Sequence, residues 1–328
     1  MFRRGVCDID QLRRGTRDFV GRSRFVAISL YSDIAASDAP DRESLLEEVL
    51  EWFPTGTGVF KRTQSGRFES FERDIAELVS GLEDRDPGRA LRVHDLGVSD
   101  GRTAVDLFRR LTALGQPAID FLASDVAPDV VVVQGRGERL QVALDTWSDE
   151  PVQVIFPPFV FNLTRRENRL VYPGNRAILA ILEPTLVARL LARHRRGDPS
   201  VEVRQVRLLH PECLALIEDR SVSFRFEKRD VLEPGDDRFD LVRAMNVLNP
   251  SYFPPDRMRR AIANIHASLE TGGLFAMGSN QDRGSPVLGG IYQRTDTGFQ
   301  LLRRADRDSP IAGTIESFTR RPDASDLD

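Results

Sequence analysis

The chain contains 328 residues, of which 41% are hydrophobic and 29% are charged, so it is long enough for one large domain with an insertion or for two domains. Its 46 basic and 50 acidic residues leave a net charge of −4, which gives no strong signal for nucleic-acid binding. Only two cysteines are present, Cys7 and Cys213, which argues against a disulfide framework or a zinc site. The sequence shows neither a secretory signal pattern nor an apolar run of about 18 residues, so we expect a cytoplasmic protein that does not enter a membrane.

The amino-terminal part is predicted to be mostly helical. Helices are expected from Asp41 to Phe53 and from about Phe68 to Leu82, because apolar residues recur there at helical spacing. The segment Phe25 to Tyr31 fits either a strand or part of a helix.

A strand, a glycine turn and a helix follow in that order. The strand is Leu91–Leu96, the turn is Gly97–Gly101, and the helix continues to Leu111. Glycine lets a backbone approach a ligand closely, and the start of a helix offers free N–H groups. A second buried strand runs from Ile119 to Ser124 and ends at Asp125, so a parallel pair with a right-handed crossover is expected.

The alternation of strands and helices is then interrupted between about residues 128 and 203. Three β-like runs are followed by a helix, Arg176–Arg193, that Pro184 breaks or kinks. The three runs are Val130–Val133, Arg139–Leu144 and Val152–Phe161. This segment is predicted to be an inserted α+β subdomain.

The alternating pattern resumes after the insertion and ends in a hairpin. The expected elements are a helix at Pro211–Ile217, strands at Val222–Phe226, Phe239–Met245 and Leu274–Met277, a helix at Asp256–Leu269, and a hairpin of Ile291–Arg294 with Phe299–Leu302. We therefore predict an α/β fold with a doubly wound, Rossmann-like sheet of seven strands whose last strand is antiparallel. The predicted boundaries are 1–88 for the amino-terminal segment, 89–127 and 204–318 for the two parts of the ligand-binding domain, 128–203 for the insertion, and 319–328 for a flexible tail.

Four points of the sequence fall at the carboxyl ends of the predicted strands, where such sheets bind ligands. They are the turn from Asp95 to Gly101, Asp125, the pair Asp230-Val231, and the segment Met245–Asn249. A carboxylate at position 125 suits a ribose diol, and one at position 230 suits an exocyclic amine. Taken singly, both acids also fit helix caps or solvent-facing side chains.

The ordered set of turn and acids, with Leu269-Glu270-Thr271-Gly272-Gly273 before a strand, resembles the class I S-adenosylmethionine (SAM)-dependent methyltransferases over about 90–127 and 205–305. The resemblance implies SAM as the cofactor. It implies that the glycine turn, with Asp95, Gly97, Ser99 and Gly101, holds the methionine part. It further implies that Asp125 binds the ribose, that Asp230 and Val231 bind the adenine, and that Asn246 lies at the cofactor. A nicotinamide-binding enzyme is the nearest alternative, but the turn lacks the third glycine of its motif.

A narrower resemblance is to CheR-type methyltransferases, which esterify glutamates of chemoreceptors. It is carried by the segments 57–62, 222–232 and 239–248. Carried over by position, Arg62 would hold an acceptor carboxylate, and Tyr252 would stand with Asn246 near the transferred methyl. The sequence differs from that family at Arg102-Thr103, where the family has two acids, and at Met245, where it has arginine.

The sequence does not identify the methyl acceptor, which the insertion at 128–203 is expected to cover. Asn249-Pro250-Ser251-Tyr252 is similar to the N-P-P-Y motif of methyltransferases that modify nitrogen, but a plain turn before a helix explains it as well. The acceptor is expected to be a small molecule or a protein, methylated on oxygen or nitrogen; a SAM-binding scaffold without turnover is the alternative. The four histidines show no metal-binding spacing, so no metal is expected, and the oligomeric state is left open.

Overall fold

The computed structural model describes residues 2–16, 24–53, 63–82, 88–115, 118–163 and 173–319. The helices are α1 Ile9–Arg13, α2 Leu30–Ala35, α3 Arg42–Glu51, α4 Glu69–Ser80, α5 Arg102–Thr112, α6 Pro173–Leu182, α7 Ala188–Arg195, α8 Pro211–Glu218, α9 Pro255–Ser268 and α10 Ala312–Glu316, with a π-helical turn Glu183–Val187 between α6 and α7. The strands are β1 Leu91–Leu96, β2 Ile119–Asp125, β3 Asp129–Gly135, β4 Gln141–Asp145, β5 Pro151–Phe156, β6 Phe159–Asn162, β7 Val201–Arg207, β8 Ser223–Lys228, β9 Phe239–Met245, β10 Leu269–Ser279, β11 Leu288–Arg294 and β12 Phe299–Arg304.

The chain divides into two compact units, each made of two stretches of sequence. The first unit comprises Met1–Arg62 and Ala127–Pro211, and the second comprises Thr63–Val126 and Glu212–Asp328. The amino-terminal helices α1 to α3 therefore belong to the same unit as the insertion, whereas α4 belongs to the unit that contains the glycine turn.

The first unit is built on a five-stranded antiparallel sheet with the order β6-β5-β4-β3-β7. Successive residues of a strand face opposite sides, so Val130 and Val132 pack in a core with α1 to α3, whereas Val133 packs in a second core with α6 and α7. The buried Gln153 joins the sheet to the amino-terminal segment, because its Oε1 accepts a hydrogen bond of 2.9 Å from the Ile28 N–H. The insertion and the amino-terminal helices thus share one hydrophobic core.

Two features of the insertion differ from the prediction. The run Val152–Phe161 forms two strands, β5 and β6, because the Pro157-Pro158 pair interrupts the strand and a turn reverses the chain. Val201–Arg207 forms a further strand, β7, which continues past residue 203 and pairs with β3. This edge strand is mostly exposed, and its weak apolar pattern gave no clear signal in the sequence.

The second unit is built on a mixed, mostly parallel sheet of seven strands with the order β12-β11-β10-β9-β1-β2-β8. β8, β2, β1, β9 and β10 are parallel. This agrees with the predicted Rossmann-like α/β class, but the predicted direction of the last strand is wrong. β11 is antiparallel to both β10 and β12, so β12 regains the direction of the parallel strands, and the antiparallel strand is the sixth.

The elements predicted around the glycine turn are present with small shifts of their ends. α4 buries Phe71, Ile75 and Val79 on one face, as the helical spacing indicates. β10 begins earlier than predicted, at Leu269. The Gly272-Gly273 pair does not precede the strand but lies within it, where the pairing of β10 with β9 shifts register.

Within the described part of the chain, no helix combines the length and the apolar character that crossing a membrane requires.

Candidate functional site at the carboxyl edge of the parallel sheet

The parallel strands β1, β2, β8 and β9 end at the same edge of the second unit's sheet. The glycine turn follows β1, Asp125 ends β2, Asp230 follows β8, and Asn246 follows β9. The structure therefore brings the predicted positions to one edge, where open α/β sheets bind ligands.

The glycine turn has a backbone that only certain residues adopt readily. Gly97 and Gly101 have φ values of 66° and 80°, in the left-handed region. A Cβ atom at Gly97 would collide with the side chain of Val247, which follows β9. Glycine at position 97 is thus required by both its backbone conformation and a close approach.

Asp125 fixes the middle of this turn. Its Oδ2 accepts a hydrogen bond of 2.8 Å from the N–H of Ser99, a non-glycine residue with a φ of 60°. The side chain is buried at the end of β2, with 8% of the residue exposed. The predicted ribose-binding acid therefore also holds the turn that is predicted to contact the methionine part.

Asp95 has a buried partner that the sequence did not indicate. Its two carboxylate oxygens accept hydrogen bonds of 2.9 and 2.6 Å from Nε and Nη2 of Arg243 in β9. Arg243 also donates to Glu72 Oε1 at 2.7 Å and to the Thr103 carbonyl at 2.7 Å. The predicted cofactor residue Asp95 thus lies in a buried ion triad that connects β1, α4, α5 and β9.

The charges of this triad perturb one another. Burial alone would lower the pKa of Arg243, but the Asp95 and Glu72 carboxylates raise it above its ordinary value. Burial raises the pKa of Glu72, and the neighbouring guanidinium opposes that rise. Arg243 is 0% exposed, so its positive charge is compensated entirely within the protein.

The last part of the turn is joined to the segment before α4. The buried Asp100 accepts hydrogen bonds from the Thr63 hydroxyl and, at 3.1 Å, from the Arg102 N–H at the start of α5. Asp106 of α5 accepts hydrogen bonds of 2.9 Å from the Ser65 hydroxyl and the Gly66 N–H. The segment from Thr63 onward therefore lies along the turn and its helix.

Asp230 and Val231 lie in the connection between β8 and β9. Asp230 Oδ1 accepts a hydrogen bond of 2.9 Å from the Leu232 N–H, and the Val231 carbonyl accepts one of 2.9 Å from Asn264 of α9. Both residues are half-buried. The connection contains no helix, although crossovers between parallel strands usually do.

A cavity of about 440 Å³ lies beneath this connection on the face of the sheet that α9 also covers. Its lining includes both Asp230 and Val231, with His94 and Leu96 of β1 and Phe239 of β9. The predicted adenine-binding pair thus opens onto a space of the size that small-molecule sites have.

Asn246 adopts the left-handed conformation, with a φ of 59°, directly after β9. Its Oδ1 accepts a hydrogen bond of 3.0 Å from the Asn280 N–H, and its N–H donates to the Gly278 carbonyl at 2.8 Å. Asn280 is held in turn by Arg67, whose Nε donates to Asn280 Oδ1 at 2.6 Å. The Asn246 side chain therefore connects the ends of β9 and β10.

The segment that resembles the N-P-P-Y motif forms a turn. Asn249 Oδ1 accepts a hydrogen bond of 2.8 Å from the Ser251 N–H, and the Asn249 carbonyl accepts from the Tyr252 N–H at 2.9 Å. Tyr252 is 50% exposed. The Asn249 amide oxygen is thus engaged by its own turn, as in the plain-turn interpretation.

Arg62, the predicted acceptor-binding arginine, lies outside the described residues, as does the whole segment 57–62. The sequence assigned no role to Arg243 or Asn280, and it did not place His94 at a cavity. Only Arg243 had a local signal, because a charged residue inside an otherwise apolar central strand needs a buried partner.

No protein-family model matches the chain, and no curated protein matches it significantly. Solved structures that are similar in part are N-methyltransferase NodS from Bradyrhizobium japonicum (14% identity, 65% of this chain and 70% of that chain, TM-score 0.27) and CalS10, an amino pentose methyltransferase from Micromonospora echinaspora solved with SAM (14%, 76% and 80%, TM-score 0.30). A third is 1,6-didemethyltoxoflavin-N1-methyltransferase from Burkholderia thailandensis, solved with S-adenosylhomocysteine (15%, 75% and 65%, TM-score 0.31). Because these TM-scores are low, the similarity carries no argument about the function of this chain.

Proposed function

We propose that the second unit binds SAM and that the protein is a SAM-dependent methyltransferase. The observation that carries the proposal is the order of features along one sheet edge. The glycine turn, Asp125 and Asp230 follow the adjacent strands β1, β2 and β8. This order corresponds to the methionine, ribose and adenine parts of one extended ligand.

The donor and acceptor groups present fit that ligand. Asp125 and Asp230 supply carboxylate oxygens for hydroxyl and amino groups, and the cavity beside Asp230 has an apolar wall that includes Val231 and Phe239. Besides His94, the ionisable residues lining the cavity are two basic residues, Lys228 and Arg229, and four acids, Asp230, Glu233, Asp236 and Asp237. This excess of carboxylates favours a neutral or cationic group in the cavity.

SAM supplies an electrophilic methyl group on a sulfonium ion, and the protein's part in its transfer is positioning. Asp125 holds the Ser99 N–H and thereby the shape of the turn. Asp95 acts through Arg243, which fixes the carboxyl end of β1 against the first turn of α5. In this role Asp95 is a positioning residue, and Asn246 has a similar role between β9 and β10.

The methyl acceptor is proposed only as a chemical class. Oxygen or nitrogen of a small molecule or protein is the expected acceptor, with Tyr252 as the exposed aromatic residue nearest in sequence to Asn246. A CheR-type glutamate acceptor depends on Arg62 and is the narrower alternative. That the insertion covers the acceptor remains a prediction.

Calorimetric titration with SAM and with S-adenosylhomocysteine tests the proposal. We expect binding by the unaltered protein and a loss of at least about tenfold in affinity for Asp125→Ala and for Asp230→Ala, since each removes a hydrogen bond made by a charged group. Asp296→Ala, in the exposed turn between β11 and β12, is the matched control and should bind normally. Absence of binding by protein whose folding is verified by circular dichroism would refute the proposal.

A second experiment separates an enzyme from a scaffold that binds SAM without turnover. Radiolabelled methyl-SAM is incubated with a cell extract and the protein, and the products are fractionated by size. Label that appears with the unaltered protein and not with Asp125→Ala indicates turnover, and its size class identifies the acceptor as protein, nucleic acid or small molecule. Binding without any transfer favours the scaffold.

A further inference from the structure

His94 has one ring nitrogen that is paired and one that is not. Nε2 lies 2.9 Å from the hydroxyl of Ser124, which is completely buried in the neighbouring strand β2. Nδ1 makes no hydrogen bond with any residue that the structure describes. The residue is 5% exposed and lines the cavity beneath the β8–β9 connection.

The ring of His94 is held in place from two sides. The imidazole ring packs on Phe239 with a centroid distance of 4.8 Å, so its orientation is restrained by the ring below and by Ser124 beside it. His94, with its unpaired Nδ1, is thus a lining residue of the cavity whose ring orientation is restrained.

The imidazole is neutral over the physiological pH range. Burial, assisted by the nearby Arg229 guanidinium, lowers the pKa of His94 from 6.5 to about 3. A neutral imidazole carries its proton on one nitrogen only. Because the Ser124 hydroxyl can either donate to Nε2 or accept from it, Nδ1 can correspondingly donate or accept.

The rest of the cavity matches a flat, amine-bearing ring. Leu96, Val231 and Ile265 supply apolar contacts, and the carboxylate of Asp230 lies in the same lining. The excess of carboxylates among the lining residues disfavours an anionic group at this place. A purine ring has both the apolar faces and the ring nitrogens that such a lining complements.

The proposed function places the adenine ring of the cofactor beside Asp230, and we propose that His94 Nδ1 forms a hydrogen bond with this base. This inference rests on the proposed function, and it assigns base recognition to a residue of β1 in addition to Asp230. His94 is thus a binding residue that selects the base, while the glycine turn and Asp125 serve the other parts of the ligand.

The test compares base analogues of S-adenosylhomocysteine in calorimetric titrations. The ligands are the parent compound, its 1-deaza, 3-deaza and 7-deaza analogues, and the analogue with hypoxanthine in place of adenine. The proteins are the unaltered chain, His94→Leu, His94→Asn and, as a matched control, His266→Leu, which removes another buried histidine that bonds the Thr295 carbonyl.

We expect His94→Leu to lower the affinity for the parent compound roughly five- to tenfold, which corresponds to the loss of one neutral hydrogen bond. At least one analogue should bind the unaltered protein more weakly than the parent compound does. For His94→Leu, the affinities of this analogue and of the parent compound should be equal. His94→Asn should restore part of the affinity. A uniform weakening of every ligand by His94→Leu, or unchanged affinity for the parent, would overturn the proposal.

A measurement on the unaltered protein covers the case in which His94→Leu does not fold. Nitrogen-15 spectra of the histidine rings should show a shift of the His94 Nδ1 resonance when S-adenosylhomocysteine is added, while the His266 ring stays unchanged. Binding without that shift refutes the role of His94 but leaves the proposed function intact. Absence of binding by the unaltered protein refutes the proposed function and this inference together.

Discussion

Arg243 and Asp95 form a bidentate ion pair in the centre of the second unit, with Nε–Oδ1 and Nη2–Oδ2 distances of 2.9 and 2.6 Å. Both side chains are almost completely buried. Glu72 shares the same guanidinium, so one cation compensates two carboxylates.

Replacement of the buried cation should destabilise the protein strongly. Arg243→Met leaves Asp95 and Glu72 buried without a cation, which typically costs about 3–5 kcal/mol in free energy of unfolding. Urea unfolding followed by circular dichroism measures it. The control Arg304→Met removes an exposed arginine paired with Asp308 and should cost less than about 1 kcal/mol. Equal midpoints for the two variants would contradict the assigned role of the triad.

Two glycines with the same φ separate backbone strain from steric contact. Gly97 and Gly115 have φ values of 66° and 65°, but a Cβ at Gly97 meets Val247, whereas no atom of the described residues lies within 4 Å of a Cβ at Gly115. Gly115→Ala should cost about 1–2 kcal/mol from its backbone conformation. Gly97→Ala should cost more, and should also weaken S-adenosylhomocysteine binding. If both variants lose the same stability and both bind normally, the close approach at Gly97 has no functional weight.

His94 predicts a dependence of stability on pH. Its pKa is lowered from 6.5 in the unfolded chain to about 3 in the folded protein, so between these values the unfolded state binds one more proton. The stabilisation from the neutral imidazole is therefore complete above pH 6.5 and is lost as the pH falls towards 3, with a slope of at most about 1.4 kcal/mol per pH unit.

The measurement compares the free energy of unfolding of the unaltered chain with that of His94→Leu from about pH 4 to about pH 8, which is roughly the range of the effect. The difference between the two proteins should change in favour of the unaltered chain as the pH rises to about 6.5 and should then become constant. A difference that is independent of pH would show that His94 is not buried in its neutral form.

Asn246 allows a test of structural against catalytic roles. Asn246→Gly accepts the positive φ but loses the hydrogen bond to the Asn280 N–H, whereas Asn246→Ala also strains the backbone. We expect Asn246→Ala to lose about 1–2 kcal/mol more in stability than Asn246→Gly. Methyl transfer measured with both variants then distinguishes the roles. Activity that falls in step with stability marks a positioning residue, and full loss in the stable Asn246→Gly marks a catalytic one.

The sequence by itself determined most elements of the second unit and their order. The spacing of apolar residues gave α4, α5 and β9 within a few residues of their observed ends, and the positions of Asp125 and Asp230 directly after strands placed them at one sheet edge. These properties are local, because they depend on residues a few positions apart and on the shared direction of parallel strands.

The tertiary structure alone decided which side chains meet and which strands reverse. Arg243 and Asp95 are 148 residues apart, and the sequence around Asp95 does not indicate that its carboxylate pairs with a guanidinium. The joining of the amino-terminal helices to the insertion depends on a shared core of residues from two distant stretches. The direction of β12 follows from two successive antiparallel pairings, and the cavity at His94 follows from a crossover without a helix. Each depends on contacts between distant stretches of sequence, which local patterns do not specify.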